Sequence, residues 1–91
     1  MGPPLHFTRH ALDEIAARRL ERSWVERVAV NPEWTRPSRR RPDVTLRFGR
    51  IDDAGGKVPR VTTVDEGGVR VVLTARFDRA ARRPEGASPC A

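Results

Sequence analysis

The clearest periodicity in the chain lies near its end, where Val69, Val71, Leu73, Ala75 and Phe77 alternate with Arg70, Val72, Thr74 and Arg76. Alternation with period two is the pattern of a half-buried strand. It predicts a strand over residues 69–77 with the first set on one face and the second on the other. Val44, Leu46 and Phe48 alternate with Thr45, Arg47 and Gly49 in the same way, and Lys57 to Asp65 reads as a further strand between them. Pro59 has no amide donor, so it belongs at that strand's start or on an unpaired side. Asp52 to Gly56 supplies one turn, and Glu66-Gly67-Gly68 a tight hairpin.

Ahead of these strands the spacing of apolar residues changes to that of helices. After a short extended lead-in at Leu5-His6-Phe7, Thr8 is a suitable N-cap for a helix from Arg9 to about Arg19. At 100° per residue, Ala11, Leu12, Ile15 and Ala16 form a narrow apolar stripe, with Glu14 and Arg18 paired on the other side. A second helix runs from about Arg22 to Val30 and buries Trp24, Val25, Val28 and Ala29. Its start has two readings: Ser23 to Glu26 has the form of a capping box, and Glu21 is the other candidate cap, with Leu20 packing on Val25. Asn31-Pro32 ends it, because a residue before proline avoids helical angles. Glu33 to Pro42 reads as a polar, basic, mobile connection.

The expected architecture is therefore α+β: two N-terminal helices packed on one face of a three-stranded antiparallel sheet, a single domain over residues 5–79. A flexible basic tail follows over residues 80–91, with room for one helical turn before Pro84. The uncovered sheet face is expected to carry Arg47, Arg70, Thr74 and Arg76, joined by Arg60 if Pro59 leaves the register intact.

Composition sharpens this. The chain has 91 residues, enough for one core, and carries a net charge of +6. Such a balance points to a polyanionic partner, RNA or the ribosome. Only one of the 18 basic residues is a lysine, however, and a GC-rich genome would give that bias without any function. No apolar run is long enough for a membrane span, no signal pattern opens the chain, and the single Cys90 allows no internal disulfide. These features read as a cytoplasmic protein with no membrane partner.

"FTRHALDEIAARRL", then "WVERVAVNPEW", a glycine turn, and "VRVVLTARFDR" resemble domain-of-unknown-function family 4258 over about residues 7–79. The F-x-R-H-A start and the terminal strand running into R-F-D-R are the most specific parts. Pro59 departs from the large apolar residue expected there. The resemblance implies a compact helix–helix–sheet fold similar to the RelE-like and BrnT-like toxin ribonucleases, which cut RNA without metal using basic side chains on the exposed sheet. That link is fold-level analogy, and no catalytic motif of those enzymes maps onto this chain. The sequence contains no tyrosine, which excludes a tyrosine base.

Metal-free RNA cleavage needs a base, an acid and cations around the phosphorane. His10 is the best proton-transfer group; Arg47, Arg60 and Arg76 are candidates for the phosphate, with Thr74 beside them and Asp78 to orient a neighbour. His10 points away from the apolar stripe, so it reaches the arginines only around a sheet edge. The other reading of Arg9 and His10 is structural: hydrogen bonds to the second helix or the loop after it. Trp34 either stacks a base or plugs the end of the core. Arg39, Arg40 and Arg41 in "RPSRRRP" either bind phosphate or form a solvated loop. His6 and His10 lack further ligands for a metal, and no cofactor motif is present.

Three functions follow from these features: a metal-independent RNA-cleaving toxin-like domain, a non-enzymatic nucleic-acid-binding module, and a module docking an acidic antitoxin-like protein.

Overall fold

The computed structural model describes residues 3–83. Cys90 and most of the expected tail lie outside the described residues. In chain order the elements are β1 (Leu5–Phe7), α1 (Arg9–Ala17), α2 (Arg22–Val30), β2 (Trp34–Pro37), β3 (Val44–Phe48), a short 3-10 turn at Asp52–Ala54, β4 (Pro59–Glu66) and β5 (Val69–Phe77). The fold is α+β, two helices on one mixed sheet. The sheet has five strands rather than three, in the order β1-β5-β4-β3-β2.

The expected meander forms its centre. β3, β4 and β5 pair antiparallel, and Pro59 is the first residue of β4, where its missing donor breaks no ladder. Gly67 and Gly68 both take positive φ, 57° and 80°, the hairpin conformation that glycine adopts without a Cβ clash. The two extra strands extend the sequence reading at two short segments. The lead-in Leu5–Phe7 adds parallel to β5, and part of the expected loop, Trp34–Pro37, pairs antiparallel with β3 as the opposite edge.

The helix boundaries follow from their caps. Thr8 accepts a hydrogen bond from the Ala11 amide at 3.1 Å, as expected of an N-cap. α1 ends in a paired-carbonyl cap. Arg19 stands at φ 56°, its amide donating to Ala16 O, while the Leu20 amide donates to Ile15 O. Leu20 and Ile15 both enter the core. For α2, Glu21 takes the cap position without a side-chain bond, which decides between the two starts.

The core lies between helices and sheet: Ala11, Ile15, Val25, Val28 and Ala29 meet Val61, Val72 and Ala75. Each fully buried valine there contributes about 1.5–3 kcal/mol relative to exposure. The buried side of α1 is turned from the expected stripe. Leu12 and Ala16 are exposed, while Ala11, Glu14 and Ile15 are buried.

β5 departs from its alternation at one residue. Thr62 of β4 opposes Thr74, but Thr63 opposes Val72, leaving Leu73 as a bulge. Val72 and Ala75 therefore both enter the core. Arg70 joins Val72 on the helix side, while Thr74 and Arg76 stay on the open side. The Thr8 amide donates to Val72 O at 3.1 Å and its hydroxyl to Leu73 O at 3.3 Å, so the cap of α1 is fastened at the bulge.

Candidate nucleic-acid interface

The registers fix what the open face presents. Trp34, Phe48, Arg60 and Arg76 oppose one another across four strands, and Arg36, Leu46, Thr62 and Thr74 form the adjacent row. Ser38, Arg39 and Arg40, at the start of the connection to β3, flank this face. Together they enclose a groove of about 700 Å³ lined by Arg36, Pro37, Ser38, Arg39, Arg40, Leu46, Arg60, Thr62, Thr74 and Arg76. Five arginines and three hydroxyls converge there, and no carboxylate is among the lining residues.

The charges are only partly neutralised from the rim. Arg60 lies 3.4 Å from Asp78, and an Arg76 nitrogen lies 3.9 Å from Glu14. Among the described residues, no carboxylate comes within 4.0 Å of Arg36, Arg39 or Arg40. Cations without a carboxylate partner among the described residues, beside hydroxyl donors, suit phosphate oxygens.

Three expected site residues, Arg60, Arg76 and Thr74, line this groove together with Arg39 and Arg40, while Asp78 stands outside its lining, 3.4 Å from Arg60. Arg41 does not line it and pairs instead with Asp43 at 3.1 Å.

Arg47 and Arg70 are on the helix side, contrary to expectation. Arg47 opposes the core residue Val61 and donates to the Thr63 hydroxyl at 2.9 Å. Burial, and then the neighbouring Arg70 guanidinium, push Arg47 below its ordinary value. Arg70 flips because the bulge separates it from Arg76. It donates to both Asp65 oxygens, at 2.8 and 3.2 Å, and to Ala29 O at 3.0 Å. The hydrogen bond from Arg70 holds the Asp65 carboxyl below the usual carboxylate range. This pair ties β5 to the C-terminal turn of α2, where a cation also suits the helix dipole.

Trp34 stacks on Phe48 with ring centroids 5.1 Å apart and planes within 6°. Phe48 is only 2% exposed, yet it belongs to the open side and not to the core between helices and sheet. Trp34 thus plugs nothing under the helices. Trp24 takes that part instead, packing against Phe77 at 6.2 Å.

Glu14 is the residue that sequence reasoning undervalued. It is 9% exposed and sits over the edge of β5 beyond the end of β1. Its carboxylate is 3.3 Å from Arg18 and 3.3 Å from His10, besides the Arg76 contact. Oε1 of Glu14, the oxygen facing His10, and Nε of Arg76 are buried and make no hydrogen bond among the described residues. The i,i+4 spacing revealed the Arg18 pair but not the burial. Arg9 pairs with Asp13 at 3.8 Å and is almost fully exposed, so Arg9 and His10 bond within α1 and not to α2. His10 reaches the arginine face only through Glu14, around the sheet edge.

No family model, curated protein or solved structure matches the chain.

Proposed function

We propose that the protein is an RNA-binding module whose open sheet face holds the phosphate backbone in the arginine groove. The observation that carries this reading is the convergence of Arg36, Arg39, Arg40, Arg60 and Arg76 on one concave surface, three of them without a carboxylate partner among the described residues. Arginine suits this task through its planar fork of donors, which matches phosphate oxygens two at a time. Thr62 and Thr74 add neutral donors to the same wall. The kinship with family 4258 and the toxin-ribonuclease-like arrangement belong to the same proposal, as does a cytoplasmic setting. No helix among the described residues is long and apolar enough to cross a membrane.

Metal-independent RNA cleavage is a second reading, favoured by one observation. The buried Glu14 carboxylate stands between His10, 3.3 Å from its Oε1, and the groove residue Arg76, 3.9 Å from its Oε2. There the exposed His10 imidazole, held by Glu14, would accept the proton of a 2′-hydroxyl as the 2′-oxygen attacks phosphorus. Arg76 would stabilise the charge on the phosphorane, and the departing 5′-oxygen would take its proton from water, leaving a cyclic phosphate. His10 does not line the groove, which is why binding stands first.

The test is fluorescence anisotropy with a labelled RNA oligonucleotide in chelator, followed by gel analysis of the same samples. Arg60→Ala and Arg76→Ala should each weaken binding about tenfold, in line with charge-assisted contacts. The exposed Arg9→Ala, which removes the same charge far from the groove, should not. Absence of binding by folded wild type at low salt would overturn the RNA reading and leave an acidic, antitoxin-like protein as the partner to seek. Intact RNA at stoichiometric protein would remove the cleavage reading alone.

A further inference from the structure

Building on the RNA reading above, we infer that Trp34 is a stacking platform for an unpaired nucleobase, which makes the substrate single-stranded. The row Trp34, Phe48, Arg60, Arg76 runs across the sheet from aromatic to basic. Neighbouring strands lie about 4.8 Å apart, so the row spans roughly 14 Å from first to last position. One end is built for phosphate and the other for a ring.

The aromatic end has the required form. Trp34 and Phe48 are parallel within 6° at 5.1 Å, a pre-formed stack that an incoming base would lengthen by one ring. Phe48 is buried and holds the pair in place, whereas Trp34 stands on β2, the outermost strand of the sheet, and remains partly exposed. Two adjoining hollows, about 250 and 370 Å³, both have Trp34 in their walls. Arg36 is shared between the first of these and the arginine groove, so the surface is continuous from phosphate site to ring site. Arg82 lines both hollows, placing a further cation beside the indole.

A duplex keeps its bases stacked inside and offers no free ring face to an indole on a strand edge. A single strand does, and base–aromatic stacking is indifferent to sequence because every base has a π-face. The surface therefore selects strandedness over sequence.

The test uses Trp24→Phe protein, in which Trp34 is the only tryptophan, and three probes: an oligoadenylate, an RNA duplex of equal length, and inorganic polyphosphate. Oligoadenylate should quench Trp34 fluorescence and bind more tightly than the duplex. Trp34→Ala, checked for folding by circular dichroism, should weaken oligoadenylate roughly 5- to 150-fold, the range of one base stack, and leave polyphosphate unchanged. If the variant does not fold, the quenching decides. Equal affinity for duplex and single strand, unquenched Trp34, or an unchanged oligoadenylate affinity in Trp34→Ala would overturn the stacking site while polyphosphate binding kept the groove. Failure of all three probes to bind would overturn both.

Discussion

Two ion pairs on α1, one residue apart in sequence, illustrate how burial decides what a charge is worth. Arg9 and Asp13 are 3.8 Å apart and both largely solvated, so their attraction is screened and offset by side-chain entropy. Glu14, at 9% exposure, collects Arg18, His10 and Arg76. Glu14→Gln should therefore lower unfolding free energy by about 1–3 kcal/mol in urea titrations, because it leaves charged donors without their anion. Asp13→Asn should stay within about 0.5 kcal/mol. Equal effects from the two substitutions would show that Glu14 behaves as a surface residue. The Glu14–Arg18 spacing was readable in the sequence, but the rotation of the helix was not. Ala11, Leu12, Ile15 and Ala16 permit more than one orientation on the sheet. The uncovered edge of β5 and the Arg76 guanidinium select the one that buries Glu14.

At the level of elements, the bulge at Leu73 partitions the basic residues. Read as one unbroken alternation, β5 puts Arg70 and Arg76 on the same face. One extra residue reverses the phase, so Arg70 ties the sheet to α2 and Arg76 joins the groove. Deleting Leu73 removes the extra residue and leaves an unbroken alternation, with Arg70, Val72, Ala75 and Phe77 on the helix side and Thr74 and Arg76 on the open side. Thermal melts of the deletion variant should keep a cooperative transition, lowered by loss of the bond from the Thr8 hydroxyl to Leu73 O, worth about 1 kcal/mol; a non-cooperative melt would show that β5 needs the bulge to hold its register. A bulge leaves correct alternation on both sides of itself, which is why the pattern gave no sign of it. The two missed strands have a related cause: β1 has 3 residues and β2 has 4, too short for a period to register. The helices and three central strands, each longer and bounded by Thr8, Asn31-Pro32 or paired glycines, were legible.

The same Arg70 contact gives this element a pH signature. Its hydrogen bond holds Asp65 below the usual carboxylate range when folded, so between the folded and unfolded values the unfolded chain binds the extra proton. The pair's stabilisation is thus complete well above about pH 4 and is lost as pH falls through the folded value. Asp65→Asn should be less stable than wild type at pH 7, with the gap closing in acid. Solvent screening keeps that gap modest, since the Asp65 side chain is more than half exposed. A gap that widened in acid would contradict the assignment.

For the whole molecule, a net charge of +6 says only that some anion is attracted. The fold converts that excess into a directed surface by pairing some arginines internally and leaving others in one groove. The run Arg39-Arg40-Arg41 shows the difference, since its members look interchangeable in sequence. Arg39 and Arg40 line the groove, whereas Arg41 lies outside it, 3.1 Å from Asp43. Counterion release provides a way to count the groove's contacts: the slope of log K against log salt is about −0.7 per phosphate neutralised on a single strand. If each of the five groove arginines meets one phosphate, the wild-type slope is about −3.5. Arg39→Ala and Arg40→Ala should each make it shallower by about 0.7, while Arg41→Ala leaves it in place. Equal changes from all three would mean that RNA responds to net charge alone, and the groove would then have no part in organising the contact.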